Sequence, residues 1–286
     1  LDRGVSATDT AERSNQMLSV NTNAGAMVAL QNLNSTNREL AEVQSRINTG
    51  LKIAGPKDDG STFAIAQNIR SEISGIDAVK NSLDRGVSAT DTAIAAGQSI
   101  SDLLIEMKEK SVAATDASLD TASRNALDAD FSALRDQIGT IVSNAEFDGI
   151  NLIDGSISSI AVLANDEGSS ITVSAQQLSA NTGLSVASVD LSTATNAAAA
   201  RSAVNAAIET ANARLASLGT DAKSLEIHKD FVGQLQDTLT QGLGNLVDAD
   251  LAKESARLQS LQIKQQLGTQ ALSIANQAPQ SILGLF

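Results

Sequence analysis

From Met17 onward, apolar residues recur at helical spacing. Leu30, Leu33, Leu40, Val43 and Ile47 are separated by three, seven, three and four positions, which predicts a heptad seam on one long helix. The stretch 50–60 contains Gly55-Pro56 and Asp58-Asp59 and predicts that this helix is interrupted. Either aspartate is a suitable cap for a second helix.

The second helix is predicted to reach Lys110, and a third to end at the turn signal Phe147-Asp148-Gly149. Their apolar stripes comprise Ile69, Ile73, Ile76, Leu83, Val87 and Ile94, and then Leu127, Phe131, Leu134, Ile138, Ile141 and Ala145. Both stripes have the spacing of three and four residues that is typical of amphipathic helices.

The pattern changes in the middle of the chain, at about 150–195. Apolar and polar residues alternate there, with Ile171 and Val173 on one predicted strand and Leu184 and Val186 on another. The segment 181–183, Asn-Thr-Gly, is a suitable turn between them. We therefore expect a small β-hairpin region, after which a helical pattern resumes at Ala197 and continues nearly to the end.

The two ends of the chain lack charge, although 19% of the residues are charged. No charged residue occurs from Ser14 to Asn37 or from Gln265 to Phe286. These segments are too polar to span a bilayer and too apolar for solvated tails. They predict end helices that bury each other and contact further copies of the chain, disordered alone and helical in a polymer. A bundle that buries both ends within one chain is the alternative.

The residues expected to carry this assembly are the regularly spaced aliphatic side chains of the two end helices. They are Leu30, Leu33, Leu40, Val43, Ile47, Leu258, Leu261, Leu267, Leu272 and Leu283.

Composition supports a helical, non-enzymatic protein. The 286 residues include no Cys, Trp or Tyr and only five Phe, so the core must be built from aliphatic side chains, which suit helix packing. The net charge of −13 and the lack of a basic patch exclude nucleic acid as an expected partner. No segment predicts membrane insertion or a cleaved secretory signal. The predicted fold class is mainly α, with long coiled-coil-like helices from both ends.

An exact duplication marks the start of the chain. Residues 1–11 and 83–93 share the eleven letters LDRGVSATDTA, without the divergence and fixed period of a natural repeat. We interpret residues 1–16 as an artefact or an extension, so the functional reasoning begins at Met17.

No motif predicts catalysis, a cofactor or a metal. His228 is the only histidine, and a zincin motif needs two. Asp58-Asp59-Gly60 lacks the acidic residues at fixed offsets that an EF-hand loop needs, which favours helix capping.

Motifs at both ends resemble those of bacterial flagellin. At the N-terminal side these are Val20-Asn21-Thr22-Asn23, the run Ser45 to Ile53 followed by Lys57-Asp58-Asp59, and Phe147-Asp148-Gly149 with Leu152 and Gly155. At the C-terminal side they are Asp248-Ala249-Asp250, Leu267, Gln270, Ala271, Ala275-Asn276-Gln277 and Pro279-Gln280 through Leu283 to Phe286.

The resemblance implies a two-layer rod. An inner-tube domain would pair residues 17–61 with 246–286, and an outer rod domain would use residues 62–245. It also implies unfolded export through a type III apparatus to an extracellular flagellar filament. The implied partners are further copies, sister flagellins, hook-junction and cap proteins, and an export chaperone. No cofactor is implied.

One departure from the family concerns an innate immune receptor of the Toll-like class. Flagellins that this receptor senses carry an Arg and a Leu where this chain has Glu106 and Lys110. The resemblance therefore implies weak receptor activation.

Two function classes stay open: a filament subunit, and a filament-junction adaptor or other secreted helical interaction protein.

Overall fold

The computed structural model describes residues 22–283, with side chains up to Gln277. The stretch 1–16, with its duplicated residues 1–11, and the side chain of Leu283 lie outside the described part. Five helices and four short strands occur between these limits, which confirms the mainly α prediction. The helices are α1 (Ala24–Thr49), α2 (Gly60–Ala114), α3 (Thr121–Asn144), α4 (Ala194–Val247) and α5 (Leu251–Leu283).

Each helix begins after a side chain that caps its first turn. Asn23 Oδ1 accepts from the Ala26 N–H at 3.0 Å before α1, and Asp120 Oδ1 accepts from the Ser123 N–H at 2.6 Å before α3. Asp59, Thr193 and Asp250 have the same role before α2, α4 and α5, through a carboxylate oxygen in the aspartates and the hydroxyl oxygen in the threonine. These oxygens satisfy N–H groups that have no partner within the helix.

The chain divides into two compact units. One contains the described residues up to Asn68 and from Gly242 onward, and the other contains residues 69–241.

The core of the second unit is aliphatic apart from one ring. Its largest fully buried side chains come from α2, α3, α4 and the segment 152–191. They are Phe131, Leu83, Ile100, Leu104, Met107, Ile138, Leu152, Ile153, Leu178, Leu191, Leu218 and Leu225. Branched aliphatic side chains therefore fill a space in which most proteins also use Trp and Tyr.

Two antiparallel hairpins lie in this unit. The first joins β1 (Glu146–Phe147) to β2 (Ile150–Asn151) through Asp148 and Gly149, with φ angles of 50° and 78°. Two consecutive positive φ angles are characteristic of a two-residue hairpin turn, so the predicted turn is confirmed.

The second hairpin corrects a prediction. β3 (Ser159–Leu163) pairs with β4 (Ser170–Ser174), so Ile171 faces Val162 across the ladder. The expected second strand around Leu184 and Val186 is wrong, because both residues are buried in an irregular segment outside any strand. The actual turn closes through Asn165 and Gly168, whose φ of 92° suits glycine.

Three glycines of α2 provide a flat face that the aliphatic pattern did not reveal. Gly75, Gly86 and Gly97 are eleven residues apart, close to three full turns, so they share one side of the helix. A Cβ on Gly86 would lie 2.6 Å from Val162 Cγ2, and one on Gly97 would lie 2.6 Å from Leu215 Cδ2. These glycines therefore let β3 and α4 approach the α2 backbone closely.

The alanine variants of two helical glycines should have opposite effects on stability. Gly86→Ala forces a methyl group against the buried, stiff Val162, and we expect a loss of about 1–3 kcal/mol in the free energy of unfolding. Gly219→Ala in α4 meets no atom within 4 Å and should gain about 0.5–1 kcal/mol, since glycine weakens a helix interior. Urea denaturation measures both, and a gain for Gly86→Ala would contradict the packing described.

Candidate assembly interface

Helices α1 and α5 form an antiparallel pair in the first unit. Near one end, the Asn23 side-chain amide donates to the Ala275 carbonyl oxygen at 2.6 Å. Near the other end, Arg46 Nη1 lies 3.3 Å from Glu254 Oε1. The two terminal regions of the sequence are therefore held together along most of the length of both helices.

The facing sides of this pair have a regular heptad spacing. Buried and half-buried side chains recur at alternating intervals of three and four residues along both helices. We call these positions the seam: Ala26, Ala29, Leu33, Thr36, Leu40, Val43 and Ile47 on α1, and Glu254, Leu258, Leu261, Gln265, Gly268, Leu272 and Ala275 on α5. The most enclosed aliphatic members are Val43 and Leu261, which are 1% and 2% exposed.

The structure separates the predicted assembly residues into two groups. Seven of them, Leu33, Leu40, Val43, Ile47, Leu258, Leu261 and Leu272, lie in the seam within one chain. Leu30 and Leu267 instead are exposed, at 47% and 58%. The apolar pattern in the sequence therefore combined residues of an intrachain contact with residues that are exposed in the described part of the chain.

The exposed face of α5 carries a second apolar series. Ile263, Leu267 and Ile274 are four and seven residues apart and are 59%, 58% and 68% exposed. We call these three residues the outer stripe. Met27 and Val28 are likewise exposed on α1, beside Leu30. Reasoning from leucines alone missed Ile263 and Ile274, although their spacing from Leu267 was a readable signal.

An ion pair and a close contact at a glycine set the register of the helix pair. Glu254 is buried in the seam opposite Arg46, which also contacts Glu42 one turn earlier on α1. Gly268 lies against Leu33, since a Cβ there would be 3.3 Å from Leu33 Cδ1. Sliding either helix by one position would leave a buried carboxylate without its guanidinium.

The segments that follow α1 and α4 are bound to each other by main-chain hydrogen bonds. The Lys52 N–H donates to the Val247 carbonyl oxygen at 2.7 Å, and the Ala249 N–H donates to the Gly50 carbonyl oxygen at 2.8 Å. Gly50 has a φ of 72°, which closes α1 in the left-handed conformation. These bonds fix the point at which the chain leaves the helix pair.

Of the paired aspartates after α1, Asp59 caps α2, as the sequence predicts for one of the two, whereas Asp58 closes the loop that precedes it. Asp58 Oδ2 accepts from the Ala54 and Gly55 N–H groups at 2.9 and 3.1 Å. Asp59 accepts from both the hydroxyl and the main chain of Ser61 and of Thr62. These bonds, led by the Ser61 hydroxyl, lower the pKa of Asp59 from 3.8 to about 2.

The lowered pKa of Asp59 predicts a loss of stability in acid. A carboxylate with a depressed pKa in the folded state stabilises the fold above its unfolded value, and this contribution is lost as the pH falls from about 4 towards 2. We expect Asp59→Asn, which keeps a capping oxygen, to show a smaller fall in urea midpoint across that window. Identical pH profiles for the two proteins would contradict the assignment.

Glu106 and Lys110 lie on α2 in the second unit. Glu106 is exposed, and Lys110 Nζ lies 2.8 Å from Asp130 Oδ2 on α3. The hydrogen bond and the charge of Asp130 raise the pKa of Lys110. The lysine is therefore held as a cation beside the acidic side chain of Glu106.

Few other side chains among the described residues are candidates for catalysis or for metal binding. His228 Nε2 lies 2.7 Å from the Ala164 carbonyl oxygen, and its ring centroid is 5.9 Å from that of Phe231. Within 22–283, no His, Asp and Glu side chains cluster in a way that could hold a metal ion. None of the helices in that range has both the length and the hydropathy that a membrane span requires.

Comparison with known proteins gives consistent matches at both ends. The family model of the bacterial flagellin N-terminal helical region matches residues 20–158, and that of the C-terminal helical region matches residues 202–286. Flagellin FljK of Caulobacter vibrioides is 57% identical over 272 residues, covering 94% of this chain and 98% of the relative. Flagellin FljM of the same organism is 55% identical over 271 residues, with the same coverage. A crystal structure of Bacillus cereus flagellin matches 53% of this chain and 88% of its own at 21% identity, with a TM-score of 0.47.

Proposed function

This chain belongs to the bacterial flagellin family and is a structural subunit of a helical flagellar filament, and from that premise we propose which of its surfaces make the filament contacts. The outer stripe, together with Met27, Val28 and Leu30, contacts neighbouring subunits. The seam holds α1 and α5 of one subunit in register. The first unit thus belongs to the inner tube, and the second unit belongs to the outer rod.

The observation that carries this proposal is the exposure of the outer stripe. Three large aliphatic side chains share one face of α5 and are each more than half exposed. Each such side chain contributes about 1.5–3 kcal/mol when it is fully buried. From Gln265 onward α5 carries no charge, so this apolar face is costly to leave in water and is stabilised by repeated contact with identical copies. Contacts between two different surfaces of the subunit extend into an open helix.

The proposal extends to export, location and partners. We expect the subunit to leave the cell unfolded through a type III apparatus and to work in the extracellular filament. Sister flagellins are expected to share that filament, since two similar flagellins of one organism are both relatives of this chain. Hook-junction and cap proteins and an export chaperone complete the proposed partners. No catalytic activity is proposed.

Seeded polymerisation of the purified chain tests the function. We expect long fibres that sediment and are visible by electron microscopy, at a concentration at which the unseeded protein stays monomeric. A junction adaptor would instead remain small under the same conditions. Absence of fibres after seeding with filaments of this chain's own organism would overturn the proposal.

The two residues that differ from those of receptor-activating flagellins give a further prediction. Glu106 and the cationic Lys110 replace an Arg and a Leu of the flagellins that activate the receptor, so purified monomer should signal weakly in a reporter-cell assay. We expect Glu106→Arg/Lys110→Leu to lower the half-maximal concentration at least about tenfold, equivalent to about 1.4 kcal/mol of binding free energy. Full signalling by the unmodified chain would contradict the prediction.

A further inference from the structure

The side chain of Asn23 makes two different hydrogen bonds at the start of α1. Its oxygen Oδ1 accepts from the Ala26 N–H at 3.0 Å and caps the helix. Its nitrogen Nδ2 donates to the Ala275 carbonyl oxygen of α5 at 2.6 Å. Serine and aspartate cap a helix about as well as asparagine does, but a carboxylate cannot donate and the serine side chain is shorter. The bond to α5 is therefore a function of Asn23 that capping does not require.

The carbonyl group that accepts this bond lacks its usual partner within α5. In an α-helix each carbonyl oxygen accepts from the N–H four residues later. The residue four positions after Ala275 is Pro279, and proline has no N–H. α5 continues to Leu283, so Ala275 is not among the last four residues, whose carbonyl groups are unpaired in every helix. Pro279 thus frees one acceptor inside α5, and Asn23 donates to it.

This acceptor marks a single position along α5. Pro279 is the only proline in the helix, so every residue of α5 before Ala275 is followed four positions later by a residue with an N–H. Asn23 and Ala275 are both half-buried where α1 packs on α5. Water bonds to a free carbonyl on an unpaired helix, whereas a carbonyl that a second helix shields needs a donor from that helix. The pairing of α1 with α5 therefore depends on a donor at this point.

We infer that Pro279 and Asn23 together determine the register in which α1 and α5 pair, with Asn23 as the positioning residue that donates to the carbonyl freed by Pro279. The inference rests on the proposed filament function and deepens it, because it identifies a contact that selects the correct helix pair. Shifting α5 by one turn would place Asn23 against a carbonyl that is already bonded and would shield the Ala275 carbonyl without a donor. Asn23 and Pro279 lie in the flagellin-like motifs at opposite ends of the sequence, so these motifs share one contact.

The critical concentration for seeded polymerisation tests the donor separately from the cap. Asn23→Ser and Asn23→Asp both keep an oxygen that caps α1, and both lose the bond to Ala275. We expect each variant to raise the critical concentration about 5- to 30-fold, equivalent to about 1–2 kcal/mol. Asn37→Ser is the matched control, because it removes an exposed side-chain bond of 2.8 Å between Asn37 and Gln265 that satisfies no main-chain group. It should change the critical concentration less than about threefold.

A double variant isolates the part that Pro279 plays. Pro279→Ala restores an N–H, so the Ala275 carbonyl is bonded within α5 whether or not Asn23 donates to it. In chains with Pro279→Ala we therefore expect Asn23→Ser to raise the critical concentration less than about twofold. Urea unfolding of each monomer is measured as well, so the dependence of one residue on the other registers even if the helices pair before assembly.

The outcomes separate this inference from the filament function. Normal polymerisation and normal monomer unfolding of both Asn23 variants would show that the cap is sufficient. An equal loss from Asn23→Ser with and without Pro279→Ala would show that Asn23 does not act through the freed carbonyl. Either result overturns the inference and leaves the filament function standing, whereas failure of the unmodified chain to form filaments overturns both.

Discussion

The double variant Ile263→Asp/Leu267→Asp should remain folded but polymerise poorly. Both side chains are exposed in the single chain, so aspartate costs the subunit little there. In a filament each position loses about 1.5–3 kcal/mol of aliphatic burial and places a carboxylate at a contact without a partner. A loss of only 2–3 kcal/mol per subunit corresponds to a rise of about 30- to 160-fold in critical concentration. Sedimentation of seeded filaments over a concentration series measures this rise.

A control variant and a control measurement separate the effect of the outer stripe from the effects of added charge and of helix propensity. Gln262→Asp/Thr269→Asp adds the same two carboxylates to the exposed surface of the same helix, about a third of a turn away from the outer stripe, and it should change the critical concentration less than about threefold. The circular dichroism of all three monomers should agree. If both double variants polymerise like the unmodified chain, the outer stripe is not a subunit contact.

The helices and their caps were readable from the sequence because local chemistry determines them. The heptad spacing from Leu30 to Ile47 located α1, and Asp59 began α2 where an acidic residue followed the Gly-Pro break. The turn at Asp148-Gly149 was equally local, since few residues other than these tolerate two positive φ angles. For such elements the residues within one or two turns decide the structure.

Long-range pairing was much harder to predict. β4 was recognised around Ile171 and Val173, but its partner was wrong, because Leu184 and Val186 alternate as a strand does and yet fill the core from an irregular segment. The glycine face of α2 escaped notice because an aliphatic pattern reports what packs and not where a side chain must be absent. A search for glycines at helical spacing would have found it.

The predicted assembly residues show most clearly that apolar spacing alone does not identify which contact a residue makes. Spacing alone placed Leu261 and Leu267 in one group, although the first is buried in the seam and the second is exposed. Six residues on a helix correspond to a rotation of about 600°, which moves a side chain about a third of a turn away from its starting face. The helical angle therefore separates the intrachain contact from the surface available to other subunits.

Arg46→Ala should be the most destabilising change at the seam. Glu254 is buried, one of its carboxylate oxygens has no hydrogen-bond partner, and Arg46 is the guanidinium that faces the other oxygen. Removing one member of a buried ion pair costs about 3–5 kcal/mol, because the remaining charge is left uncompensated. Replacing both members, as in Arg46→Met/Glu254→Leu, should restore most of that loss. Arg257→Ala, which removes an exposed contact of 3.9 Å with Glu39, should cost less than about 1 kcal/mol.

The critical concentration and the unfolding free energy of the Arg46→Ala monomer together show whether α1 and α5 pair before assembly or only during it. If the helix pair forms only on assembly, as the uncharged ends predict, Arg46→Ala raises the critical concentration by about 160- to 5,000-fold and leaves the urea unfolding of the monomer unchanged. If the pair already exists in the free subunit, the same contact is lost from monomer and filament alike. The unfolding free energy then falls while the critical concentration stays nearly constant. We expect the first result, and a variant that alters neither quantity would show that the Arg46–Glu254 pair does not hold the helices together.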